Sequence, residues 1–159
     1  MIRRIKTIEE IKPIYKAYLD YMRQFFKIHD FDSWYKGALK NLQQYSMTDD
    51  RHIYILKESN AIIGFALINQ HFRFNTDGFA VAEFYIQKNR ERKGYGRKMA
   101  EHIFEKLPGN WEVAVTLTNK SALAFWEQVV SCYTKGKFIK KKSPSFNGYG
   151  FLFNTGLKK

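Results

Sequence analysis

A chain of 159 residues suits one compact domain, residues 1–159, with enough length to bury a core. Its 45% hydrophobic and 17% aromatic shares exclude a disordered chain. Twenty-seven Lys and Arg against fifteen Asp and Glu leave a formal charge of +12, which favours anionic partners in general without choosing among cofactors, acidic substrates, nucleic acid and membranes.

No stretch is apolar for long enough to span a bilayer, so no membrane partner is expected. The basic start, Met1 to Lys6, runs into Thr7-Ile8-Glu9-Glu10 rather than the apolar run of a signal peptide. Cys132 is the single cysteine, which rules out an intrachain disulfide and fits a reducing, cytoplasmic setting. Its expected role is that of a small buried hydrophobe.

In chain order, Ile2–Ile5 reads as a short strand. Thr7 with Glu10 forms a capping-box pattern that opens a helix through about Lys27. Ile11, Ile14, Tyr15, Tyr18, Met22 and Phe25 recur along it at helical spacing, and Pro13 marks a kink or the true first turn. Ser33 to about Tyr45 reads as a second helix, and Asp49-Asp50-Arg51 as a turn. His52–Lys57 and Ala61–Phe72 form a predicted hairpin across Ser59-Asn60. Asn75 to Gly78 is a turn. Phe79–Ile86, with Glu83 its one charge, is the strand expected to be most buried. A loop, Gln87–Gly94, feeds a helix from Tyr95 to about Leu107, which Pro108-Gly109-Asn110 stops. Trp111–Leu117 is a strand, Lys120 to about Ser131 a helix, and Tyr133–Lys141 with Gly148–Asn154 a terminal strand pair. This order predicts a mixed α/β sheet with helices on both faces. If the strands at 79–86 and 111–117 pair in parallel, their crossover is right-handed.

The loop before Tyr95 is built for an anion. Gly94 and Gly96 allow close backbone approach, and the following helix start offers free N–H groups and the positive end of its dipole. Arg90, Arg92, Lys93, Arg97 and Lys98 add charge and donors. A dinucleotide fingerprint fails because position 99 is Met99, and a Walker A loop fails on spacing.

The window Glu91-Arg92-Lys93-Gly94-Tyr95-Gly96 resembles the signature of the GNAT superfamily of N-acetyltransferases: Gln or Arg, two residues, Gly, one residue, then Gly or Ala. Glu91 departs from it, so Glu91 is expected to point away while Arg92 or Arg90 supplies charge. Downstream, Asn119-Lys120-Ser121-Ala122 is similar to the superfamily's second block. There the Asn contacts the pantetheine arm of the cofactor and the Ala packs the helix; Asn119 also suits a helix cap. Many relatives carry a Tyr acid where Trp126 stands, and an indole N–H cannot protonate a departing thiolate. Tyr133 is the nearby hydroxyl to suspect, although a thiolate with a pKa of ~8.5 can leave unaided.

The resemblance implies a mostly antiparallel sheet with a central parallel strand pair. It further implies acetyl-CoA as co-substrate, held by Arg92, Lys93, Gly94, Tyr95, Gly96, Arg97 and Lys98, with Asn119 on the pantetheine. By the same resemblance, the strand end at Tyr85, Ile86 and Gln87 would pair with that arm and polarise the thioester. Two aromatic-rich helices, bearing Tyr18, Tyr21, Phe25, Phe26, Trp34 and Tyr35, would border the acceptor pocket. Glu83 is the candidate base, because burial raises a carboxyl toward neutrality; the alternative is a Glu paired with a basic neighbour.

The expected activity is direct acetyl transfer to the amine of a small molecule or peptide, by a monomer or homodimer. The rivals are a non-catalytic acyl-CoA binder or sensor and a basic nucleic-acid module, for which no motif is present. His29, His52, His71 and His102 lack metal-ligand spacing, so no metal is expected.

Overall fold

The computed structural model describes residues 1–156. The chain divides into two compact units, Met1–Leu67 with Glu83–Gly96, and Ile68–Ala82 with the chain from Arg97 onward.

The first unit opens with strand β1 (Ile2–Ile5) and a one-turn 3-10 segment, then helices α1 (Lys12–Met22) and α2 (Phe31–Met47) and strand β2 (His52–Glu58). The expected capping box does not form. Ile8 stands at the helix entry without a side-chain cap, and Glu10 turns instead to Arg3, at 3.2 Å. Pro13 occupies the first turn of α1, where its missing N–H costs nothing. The helix ends at Met22, short of Lys27, and passes through a second 3-10 turn before Phe26 becomes extended. Asp30 starts α2 by accepting the Ser33 amide at 3.2 Å, so this helix begins two residues before Ser33. Ile11, Ile14, Tyr15, Tyr18 and Leu19 line one stripe of the first helical segment. They meet Leu42 and Tyr45 of α2, Ile53 and Ile55 of β2, and Phe65 and Tyr85 in one core.

Strands β3 (Ala61–Asn69) and β4 (Phe79–Ile86) contribute to both units. β2 and β3 are the most buried strands, whereas only Ala80 and Tyr85 of β4 are buried. The expectation that β4 is the most buried strand is therefore corrected. Its ladder with the next strand covers Phe79–Val81 alone, so its second half is not sealed by pairing on that side.

The second unit contains helix α3 (Tyr95–Lys106, its first two residues excepted), strand β5 (Asn110–Thr116), helix α4 (Lys120–Thr134) and strands β6 (Ile139–Lys142) and β7 (Gly148–Asn154). Trp111 is fully buried, packs on Phe104 and Phe153, and donates its indole N–H to the Leu107 carbonyl at 2.9 Å. Trp126, Val129, Val130 and Tyr133 form the buried stripe of α4. That stripe carries the helix past Ser131 to Thr134, so Tyr133 is helical rather than the start of a strand. Lys135 and Gly136 then close it in the left-handed region, with the Gly136 amide returning to the Ser131 carbonyl at 2.9 Å. Cys132 lies off the stripe and is exposed, which corrects the buried reading of that thiol.

Together the strands form a seven-stranded sheet in the order β1-β2-β3-β4-β5-β7-β6, antiparallel except for β4 beside β5. No described helix is long and apolar enough to cross a membrane.

Candidate active site

β4 hands over to α3 through the basic loop. A 3-10 turn spans Lys88–Arg90, anchored where the Gln87 amide donates to the Ile63 carbonyl at 2.8 Å. Arg92 and Gly94 both take left-handed conformations, with φ of +63° and +82°. Left-handed residues within a turn gather successive N–H groups into an anion-binding concavity. A Cβ at Gly94 would meet nothing within 4 Å, so the loop surface there is open. Arg92, Lys93, Arg97 and Lys98 are exposed.

Glu58, at the end of β2, ties this loop down through two side chains. It pairs with Arg90 Nη1 at 2.7 Å and accepts a hydrogen bond from the Tyr95 hydroxyl. Arg90 is thus already matched by a carboxylate, which leaves Arg92 as the arginine of the pair with an exposed charge. Glu91 is exposed. Sequence reasoning missed Glu58, because nothing at the end of a hairpin strand signals a partner over thirty residues away.

In the second unit, Asn119 caps α4, its side-chain oxygen accepting the Ala122 amide at 3.2 Å. The cap uses the oxygen alone, and the carboxamide NH₂ is a further donor. Trp126 is buried. Tyr133 donates to Glu105 Oε1 at 2.8 Å, and burial together with that carboxylate raises its hydroxyl well above the ordinary phenol range. It is a poor proton donor.

The strongest chemical feature lies in the first unit. Side chains alternate along a strand, so Glu83 shares the face of β4 that carries Tyr85, whose ring packs on Tyr18, Tyr21 and Phe65. This turns Glu83 toward α1. Tyr15 of α1 donates to Glu83 Oε1 at 3.3 Å, while Oε2 is buried and accepts no hydrogen bond. Burial pushes the Glu83 carboxyl up to about 7, the Tyr15 hydrogen bond only partly opposing it. No Lys or Arg pairs with it in the salt bridges of the described residues.

Glu83 and Tyr15 open onto a cavity of about 490 Å³. Leu19 of α1 and Ser33, Trp34, Gly37, Ala38 and Asn41 of α2 complete its lining. Of the aromatics expected at an acceptor pocket, Trp34 lines the cavity, while Tyr18 is buried in the core. Tyr15, expected in the core alone, serves both. Gly64 on β3 was also missed: a Cβ there would sit 2.9 Å from the Tyr85 carbonyl and 2.6 Å from Ile86 Cδ1. A glycine inside an apolar strand signals such a close approach.

The chain matches the acetyltransferase (GNAT) family over residues 11–130. It belongs to that family. The match takes in both helices of the first unit as well as the motifs around Gly94 and Asn119. The solved structures of an acetyltransferase from Thermus thermophilus (TM-score 0.70, 12% identity, covering 97% of each chain) and of a GNAT-family acetyltransferase from Staphylococcus aureus (0.65, 14%, 98% of this chain and 99% of that one) share the fold. So does the paiA N-acetyltransferase of Thermoplasma acidophilum, solved with coenzyme A (TM-score 0.67, 14% identity, 97% of this chain and 99% of that one). No curated protein matches the chain. As a GNAT member, this protein is an acetyltransferase enzyme.

Proposed function

We propose that this protein, acting as a single domain, transfers an acetyl group from acetyl-CoA directly to the primary amine of a small molecule or peptide in a ternary complex. The observation that carries this reading is Glu83, a carboxyl of near-neutral pKa with a buried oxygen that accepts no hydrogen bond, facing an open cavity.

The basic loop fits the pyrophosphate of coenzyme A. Arg92 and Gly94 take the left-handed conformations that favour an anion-binding nest, α3 presents its N-terminal N–H groups, and Arg92, Lys93 and Lys98 offer exposed charge. Tyr95 and Gly96 form the first turn of α3, and Arg97 there is partly offset by Glu101 at 2.8 Å. Asn119 retains its NH₂ for the pantetheine arm. At the strand end the Gln87 amide is already taken by Ile63. Alternation along β4 then directs the Ile86 N–H away from β3, which makes it the donor for the thioester carbonyl, next to Tyr85.

Acetyl-CoA supplies an acyl group on a leaving group that departs near neutral pH. The Glu83 carboxylate accepts a proton from the incoming ammonium, directly or through a water, and so exposes the nitrogen lone pair. A C–N bond then forms as the C–S bond breaks. Of the two protons the amine gives up, one passes through Glu83 to solvent and the other ends on the sulfur of CoA. Tyr15 holds the carboxylate in place through Oε1. With Trp126 in the family's acid position and Tyr133 bound to Glu105, sulfur departure relies on thiolate stability.

That missing acid favours one second reading, a non-catalytic acyl-CoA binder. Thiol release from acetyl-CoA over a panel of amines separates the two. Amine-dependent release is expected; binding of CoA with no release on any amine would favour the binder, and no binding would remove both.

A further inference from the structure

The cavity over Glu83 also carries information about which amine it takes, on the reading that it receives the acceptor. Its lining holds one ionisable carboxyl, Glu83, set among the side chains of Leu19, Trp34 and Ala38 and the ring of Tyr15. A polyamine or an aminosugar brings several cationic centres, each of which needs an acidic or strongly polar partner when it leaves water. This cavity offers one carboxyl, its other polar groups being the uncharged Ser33, Asn41 and Tyr15, in a chain of net charge +12. An amine with a single positive charge and an apolar, flat body matches Glu83 and the apolar wall of Leu19, Trp34 and Ala38, leaving Ser33 and Asn41 at the solvent-exposed rim.

α2 builds that wall in two rows. Trp34 and Ala38, four residues apart, form the deeper row and are partly buried; Ser33, Gly37 and Asn41 form an exposed rim at the same spacing. Gly37 stands at the centre of the rim, inside a 17-residue helix. A glycine there costs about 0.5–1 kcal/mol relative to alanine, and no neighbour requires it: a Cβ at this position meets nothing within 4 Å. Crowding within the fold does not explain the glycine. Keeping the mouth of the cavity clear does.

We propose that the acceptor is a monoamine with an aromatic or apolar body, seated on Trp34 with its nitrogen at Glu83, and that Gly37 determines whether that body can enter. Gly37→Leu fills the mouth with a side chain the helix favours, so the variant keeps its fold and its thermal midpoint does not fall.

The test uses the full chain with CoA bound, and two readouts. Calorimetry measures binding of phenylethylamine, spermidine and kanamycin, and thiol release measures turnover of each with acetyl-CoA. Phenylethylamine is expected to bind at least about tenfold tighter than either polycation, and Gly37→Leu to weaken it by at least about tenfold. Tighter binding of spermidine or kanamycin, or equal binding of phenylethylamine to wild type and Gly37→Leu, would overturn the proposal. Binding that follows this pattern without turnover would uphold the cavity's selectivity and defeat the proposed transfer instead.

Discussion

Replacing Glu83 by Gln isolates the electrostatics on which the proposed chemistry rests. The Glu83 carboxyl is raised from an ordinary 4.5 to about 7, chiefly by burial. Between those two values the folded state holds a proton that the unfolded chain releases, so stability falls as pH rises through that window. At 1.36 kcal/mol per pK unit the loss amounts to about 3 kcal/mol between pH 4 and pH 8. His52 acts in the opposite sense. Burial, aided by Arg4, lowers it from 6.5 to about 4, so its contribution rises with pH over nearly the same range. The two mask each other in the wild type, and a flat pH profile there would be uninformative. The comparison with Glu83→Gln is not. Urea unfolding at pH 5 and pH 8.5 is expected to show the variant gaining about 2–3 kcal/mol relative to wild type as pH rises, since glutamine does not titrate. The hydrogen-bond cost of the new amide is the same at both pH values and cancels. Parallel profiles for the two proteins would refute an elevated Glu83 and, with it, the assignment of a base.

Two further substitutions test how the fold supports the site. Glu112 is 2% exposed and accepts the backbone amides of Arg73, Phe74 and Asn75 at 2.7, 3.1 and 2.7 Å. Hydrogen bonds to a charged acceptor carry about 1.5–3 kcal/mol each and are not additive, so Glu112→Ala is expected to lower unfolding stability by about 3 kcal/mol or more in urea. A loss below about 1 kcal/mol would show that the carboxylate does not organise this segment. Gly64→Ala forces the β4 backbone away at Tyr85 and Ile86. It is expected to cost about 1–3 kcal/mol of stability and to lower kcat. Wild-type stability and kcat together would mean that β3 and β4 can separate there at no cost.

Much of this was legible because short-range chemistry decides it. The strand–loop–helix unit around Gly94, the cap at Asn119 and the single charge at Glu83 are set by residues a few positions apart, and each stands where its spacing placed it. The misses come from competition across long separations. Thr7 and Glu10 spell a capping box, yet Glu10 prefers the guanidinium of Arg3, which no local pattern reveals. β4 reads as apolar but for Glu83, yet its ladder with β5 stops at Val81, and pairing length is not written in one strand. Residue type alone puts Cys132 inside, whereas its angle on α4, away from the stripe of Val129 and Tyr133, decides its exposure. The cavity is the plainest case. Tyr15 and Glu83 are 68 residues apart, and only the packing of α1 on β4 turns a core tyrosine and a strand carboxylate into one site. Gly37 was visible as a glycine within a helical run, but its meaning depends on the space beside it.

The central claim is that residues 92–98 grip the pyrophosphate of acetyl-CoA, and calorimetric titration of CoA into wild type and Gly96→Asp tests it most directly. An aspartate in the first turn of α3 suits the helix itself, so the variant folds, while its charge and bulk oppose the bound phosphates. The account predicts measurable binding to wild type and a loss of at least about 100-fold in the variant, close to 3 kcal/mol. Affinity within about twofold of wild type in Gly96→Asp would contradict it.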